Sequence, residues 1–72
     1  MIAYRVYYID DGDSEYYLKE ETAFQNAAEY IYNILFEDGQ PDSEIEDVIA
    51  EFNRTGFAPE LCSVDEIVVD ER

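Results

Sequence analysis

The sequence predicts an α+β fold, a three-stranded sheet with two helices packed on one face, in the order ββααβ. Three observations predict it. A run rich in Tyr, Val and Ile and a second run carrying Tyr16, Tyr17 and Leu18 flank an Asp-Gly turn near the N-terminus. Two stretches with helical apolar spacing follow, each opened by a capping pattern and closed near a glycine. A last β-branched run lies near the C-terminus. With 72 residues the chain holds a single acidic domain, residues 1–72, in which a few well-packed apolar side chains carry the stability.

The first strand spans Ile2 to Ile9. Alternation places Ile2, Tyr4, Val6 and Tyr8 on one face, the better candidate for the core, and Ala3, Arg5, Tyr7 and Ile9 on the other. Asp10-Asp11-Gly12-Asp13-Ser14 is a turn cluster whose Asp-Gly pair signals a hairpin. Glu15 to Lys19 supplies the returning strand, and Tyr7 and Tyr17 are expected on the sheet face away from the helices.

Thr22 and Gln25 form a T-x-x-Q capping box, so the first helix is expected from about Ala23 to Asp38. Phe24, Ala28, Ile31 and Leu35 make its inward stripe, widened by Ala27 and Ile34 and flanked by Tyr30 and Tyr32, with Phe36 nearby. Gly39 supplies the left-handed cap and Pro41 prevents continuation. Ser43 and Glu46 form a second capping box. Ile45, Val48, Ile49 and Phe52 then repeat at i, i+3, i+4 and i+7, and Gly56 stops the helix. Phe57 to Glu60 reads as a short connection and Val64 to Asp70 as the final strand. That strand pairs with the first or the second; the sequence leaves both open.

Charge is the unusual feature. Nineteen Asp and Glu face four Lys and Arg, for a net charge of −15. A magnitude of about 2 to 8 suffices to keep a small domain soluble, and a larger excess costs stability by self-repulsion. Direct binding to a nucleic-acid backbone is excluded, because phosphates are repelled. The content of seven Tyr and four Phe also argues against a disordered acidic tail.

The chemistry of catalysis is sparse, and the expectation is a protein that is not an enzyme and carries no cofactor or metal. His is absent, which removes Ser-His-Asp and Cys-His constellations. Cys62 is the single cysteine, so an internal disulfide is excluded, and its apolar neighbours Leu61 and Val64 predict a buried thiol. The glycines form no phosphate-cradling loop. An EF-hand frame starting at Asp10 places Glu21 at position 12. It also puts Glu15 at the obligatory glycine, and Gly12 and Leu18 at ligand positions 3 and 9, so the frame is rejected. No apolar run reaches membrane length and no signal-peptide pattern opens the chain, so the expected location is cytoplasmic, without membrane contact.

Carboxylates and tyrosines are therefore the candidate functional groups. The second helix carries Glu44, Asp47 and Glu51 on its outer face with Glu46 beside them, and Glu37, Asp38 and Asp42 lead into it. Residues four apart on a helix rise about 6 Å, which approximates a row of phosphates along a nucleic-acid strand. Asp10, Asp11 and Asp13 form a second patch. Tyr7 and Tyr17 are candidate contact residues, since Tyr is enriched at binding hot spots.

In size, acidity, tyrosine content and ββααβ layout the chain resembles phage-encoded DNA-mimic inhibitors, a class that includes small acidic anti-CRISPR, anti-restriction and uracil-glycosylase-inhibitor proteins. The resemblance implies a host defence or repair protein as target, bound through its basic nucleic-acid groove. Two other readings accompany it. One is a small interaction or structural module, including a homodimer joined through Tyr7, Tyr17 or the first helix. The other is acidity as an adaptation to a saline medium.

Overall fold

The computed structural model describes residues 1–69. The elements are β1 (Ile2–Tyr8), β2 (Asp13–Tyr17), α1 (Glu20–Glu37), α2 (Asp42–Thr55), β3 (Phe57–Ala58) and β4 (Cys62–Val68). The fold is α+β, with a four-stranded antiparallel sheet in the order β2-β1-β4-β3. The expected three strands and ββααβ order are thus corrected to four strands and ββααββ. The extra strand is two residues long, too short to show any alternation. It pairs Phe57 with Ser63 and Ala58 with Cys62, which also starts β4 two residues before the expected Val64. The final strand pairs with β1, Ile2 opposite Val68 through Tyr8 opposite Cys62. Asp70, the expected end of that strand, lies outside the described residues.

The β1–β2 hairpin closes through a four-residue loop, Ile9 to Gly12. The Gly12 N–H donates to the Tyr8 carbonyl at 2.8 Å, and Gly12 takes a φ of 74° that a side chain would resist. This loop length sets Tyr4 opposite Tyr17. Directly opposed residues share a sheet face, so Tyr17 lies on the helix side and packs against the core, not on the open side as expected. Tyr16, opposite Arg5, takes the open side with Tyr7.

Both helices start earlier than their capping patterns indicate. The cap of α1 is Lys19 and that of α2 is Pro41, neither with a side-chain capping bond. Thr22 and Ser43 lie inside the helices. Acidic residues occupy both first turns instead, Glu20 and Glu21 in α1 and Asp42 and Glu44 in α2, facing the positive end of the helix dipole. The end of α1 is a Schellman motif: Gly39 N–H donates to the Phe36 carbonyl at 3.0 Å and Gln40 N–H to the Leu35 carbonyl at 3.1 Å. The Pro41 carbonyl then accepts from the Glu44 and Ile45 N–H groups, so α2 starts almost at once.

One core lies between the sheet and both helices. Val6 and Tyr8 enter it from β1, Ala23, Ala27, Ile31 and Leu35 from α1, Ile45 and Phe52 from α2, and Ala58 and Cys62 from β3 and β4. The buried line of α1 therefore runs through Ala23 and Ala27, with the expected Phe24 and Ala28 only half-buried. Phe24 still reaches Phe52, their rings 5.3 Å apart. Tyr4 is half-buried against the cluster. Ile2, expected inward, is 47% exposed, because it sits at the end of the sheet beyond helix cover.

Candidate functional site

The topology gathers carboxylates from distant parts of the chain at one end of the molecule. The β1–β2 loop, the end of α1 and the β3–β4 turn meet there. Asp10, Asp38 and Glu60 border one open depression of about 600 Å³, floored by Ile34, Leu35 and Leu61. Beside it, on the helix-facing side of the hairpin, Asp11, Asp13 and Glu15 border a second depression of about 450 Å³ walled by Tyr8 and Tyr30. The two tyrosine rings are 4.6 Å apart and tilted at 56°. The Tyr8 hydroxyl donates to Glu15 Oε1 at 2.6 Å.

These phenols are held neutral. Burial pushes the Tyr8 hydroxyl far above its ordinary value, and the Glu15 carboxylate adds to the shift. Tyr17 is raised by burial and by the Glu15 charge. Tyr30 is raised by burial, with the charges of Asp11 and Asp10 adding. The cleft thus combines carboxylate acceptors with neutral aromatic faces, which suits an ammonium or guanidinium group and repels an anion.

Helix α2 divides the remaining carboxylates between two flanks. Asp47 and Glu51 border an apolar notch of about 280 Å³ made by Val48, Phe57, Ala58 and Pro59. Glu44, three residues before Asp47, stands on the same side by helical periodicity. Arg54 reaches back to Glu51, its Nε donating to Oε2 at 3.3 Å and its Nη2 to Oε1. That exposed pair relieves some of the repulsion between Asp47 and Glu51. Asp42 and Glu46 turn toward α1. There Tyr32 stacks on Phe36 with centroids 5.8 Å apart, and its hydroxyl donates to Asp42 Oδ1 at 3.2 Å. The Asp42 charge, chiefly, raises the Tyr32 hydroxyl above its ordinary value. Glu37 is exposed in the last turn of α1, one residue before Asp38.

The candidate carboxylates are all exposed: Asp10, Asp11, Asp13, Glu37, Asp38, Asp42, Glu44, Glu46, Asp47 and Glu51. Ten positions expected as two patches form a connected acidic end plus two flanks of α2. Tyr7 is half-exposed on the open sheet face, apart from all of them, and Tyr17 lies under Glu15. Four residues of the site went unnoticed in the sequence: Glu15, Glu60, Tyr8 and Tyr30. Alternation from Asp13 places Glu15 on its face, so that one was available. Glu60 had no signal, since it sits in a turn at the left-handed φ of 67°.

Cys62 is buried in the core, and burial pushes its thiol up to about 11, so it stays protonated at neutral pH. Among the described residues no group of three or more His, Cys, Asp or Glu is arranged to hold a metal ion. No helix among them is long and apolar enough to cross a membrane. Comparison with protein-family models, curated proteins and solved structures gives no match.

Proposed function

We propose that this chain is an acidic binding protein that occupies the basic, nucleic-acid-binding groove of another protein, its carboxylates standing in for phosphates. A CRISPR-Cas effector or another anti-phage defence component is the kind of target this reading favours. The observation that carries it is the convergence of Asp10, Asp38 and Glu60 on one depression, beside the tyrosine-walled cleft of Asp11, Asp13 and Glu15. Like charges at such proximity repel one another, and a cationic partner relieves that cost.

Each surface has a separate task in this reading. The helix row Glu44, Asp47 and Glu51 follows a groove built for a phosphate backbone. The Tyr8–Tyr30 cleft receives an Arg or Lys side chain between its carboxylates and ring faces. The apolar notch beside Asp47 buries a side chain at the rim. Long-range attraction speeds the encounter, and the desolvated aromatic contacts slow dissociation.

The test is capture followed by competition. The chain is immobilised in low salt, exposed to a bacterial lysate and eluted with a salt gradient. Captured proteins are then assayed for binding to a DNA duplex with increasing amounts of free chain. The expected result is loss of DNA binding at one chain per site, with affinity falling steeply as salt rises. Captured proteins that bind DNA equally well beside an excess of the chain would refute the proposal.

A further inference from the structure

The sheet has a second face, and its chemistry is unlike the rest of the molecule. The helices cover the side of Val6, Tyr8 and Cys62. The opposite side carries Arg5 and Tyr7 from β1, Tyr16 from β2, and Asp65 and Ile67 from β4. The register puts Arg5 opposite both Tyr16 and Asp65, and Ile67 opposite Ala3. Arg5 Nη2 donates to Asp65 Oδ2 at 2.9 Å, and its guanidinium lies 5.7 Å from the centre of the Tyr7 ring. Tyr16 is 62% exposed. Arg5 and Asp65 are the only charged strand residues on this side among those described. In a chain of net charge −15, this face is neutral and aromatic.

We infer that the open sheet face is a homodimer interface, two copies packing sheet to sheet with their helices outward. Charge selects the occupant. A basic partner gains nothing from a neutral face, whereas an equally acidic copy meets the least repulsion there. The face is also self-complementary: a twofold axis between Arg5 and Asp65 sets each Arg5 against the Asp65 of the other copy, as an isologous contact requires. Packed sheets lie about 10 Å apart, and a helix layer adds about as much on each side, so the acidic helices of the two copies stand roughly 30 Å apart. That is about three Debye lengths at 0.1 M salt, so their mutual repulsion is largely screened.

The area limits how tight the dimer is. Strands of 7, 5, 2 and 7 residues present a projected face of roughly 350 Å² per copy at a rise of ~3.4 Å and a spacing of ~4.8 Å. Side-chain relief and the exposed rim residues Leu18 and Val69 bring the total buried surface to about 1,000 Å², where specific interfaces begin. The dimer is therefore weak and concentration-dependent. It leaves the acidic end and the α2 carboxylates of both copies free; only Phe57, opposite Ser63 at the edge of this face, is shared with the notch beside Asp47, and elsewhere the inference stands independently of the proposed function.

Sedimentation equilibrium from about 5 to 500 μM, at low and at moderate salt, tests it. The expected mass rises from the 8.4 kDa monomer toward twice that value. Added salt strengthens the association, the reverse of its effect on binding a basic protein. The Arg5→Asp and Asp65→Arg variants are each expected to stay monomeric, and an equimolar mixture of the two to form a 1:1 dimer. Such rescue cannot arise from a merely structural role. Should either variant unfold, Tyr16→Glu, at an exposed edge-strand position, still abolishes association. A monomer mass across the whole range would overturn the inference, as would a dimer unaffected by Tyr16→Glu. A chain that is monomeric throughout, and whose Tyr16→Glu variant no longer captures the lysate partner, would overturn it too and assign the face to that partner.

Discussion

Replacing Tyr8 with Phe separates the two roles of the Tyr8–Glu15 contact by their opposite dependence on pH. The ring stays in the core beside Tyr30, and only the hydroxyl donating to Glu15 at 2.6 Å is lost. Glu15 is exposed and recovers water, so the loss at neutral pH is about 1 kcal/mol, below the range for a fully buried bond to a charged group. Burial and Glu15 raise the Tyr8 hydroxyl above its ordinary 10.0. The folded state thus holds this proton more tightly than the unfolded chain. The stability it confers is complete below pH 10 and is lost as pH rises beyond it, by about 1.4 kcal/mol per pH unit. Tyr30 is raised in parent and variant alike, whereas Tyr17 shares a hydrogen bond with Tyr8, so the difference between the two proteins reports the Tyr8 hydroxyl together with its effect on Tyr17. The parent, about 1 kcal/mol more stable at pH 7, should lose that advantage near pH ~10.6 and be the less stable protein above it. Urea unfolding followed by circular dichroism from pH 7 to 11.5 reads this as a midpoint gap of about 1 M that closes and reverses. A gap constant across that range would refute the reasoning.

Three further variants test the site and its scaffold. Asp47→Lys with Glu51→Lys should abolish competition with DNA for the captured partner. The unfolding free energy from urea titration should stay within about 0.5 kcal/mol of the parent, since relief of like-charge repulsion offsets the lost Arg54 pair. Glu60→Gly should raise stability by up to about 1 kcal/mol in the same titration, because Glu60 holds a left-handed φ of 67° that glycine adopts freely. Phe52→Ala should cost about 3–5 kcal/mol, as Phe52 is fully buried against Phe24 at the centre of the only core cluster described, and thermal unfolding would report it.

What the sequence made legible follows from the range of each signal. Ile45 and Phe52 lie two helical turns apart, and Gly39 and Gly56 follow the last turns they cap, so spacing within a few residues sufficed for α2 and both helix ends. The capping boxes misled because Pro41 begins a helix through its backbone carbonyl without side-chain help. Tyr17 was misplaced because loop length governs hairpin parity. Four loop residues set it opposite Tyr4, and a three-residue loop would have turned it outward. The acidic end was beyond reach for a different reason. Asp10, Asp38 and Glu60 meet only once β4 lies between β1 and β3, and the sequence left the partner of the last strand open.

Salt distinguishes an acidic surface kept for a partner from one kept for a saline medium. Repulsion among these carboxylates acts across separations of about 6 Å, the rise between Asp47 and Glu51 on α2. The Debye length falls to that value near 0.25 M salt and to about 3 Å at 1 M. If the acidity serves a basic partner, the folded chain is stable in dilute buffer. Its unfolding midpoint then rises with sodium chloride and levels off by about 0.5 M, once neighbouring charges no longer sense one another. Adaptation to brine requires instead that stability keep climbing through molar salt and that the dilute chain be unfolded. Thermal unfolding between 0.02 and 3 M sodium chloride separates the two. A plateau by about 0.5 M leaves a basic partner as the reason for the net charge of −15, and a climb extending to 3 M removes that reason.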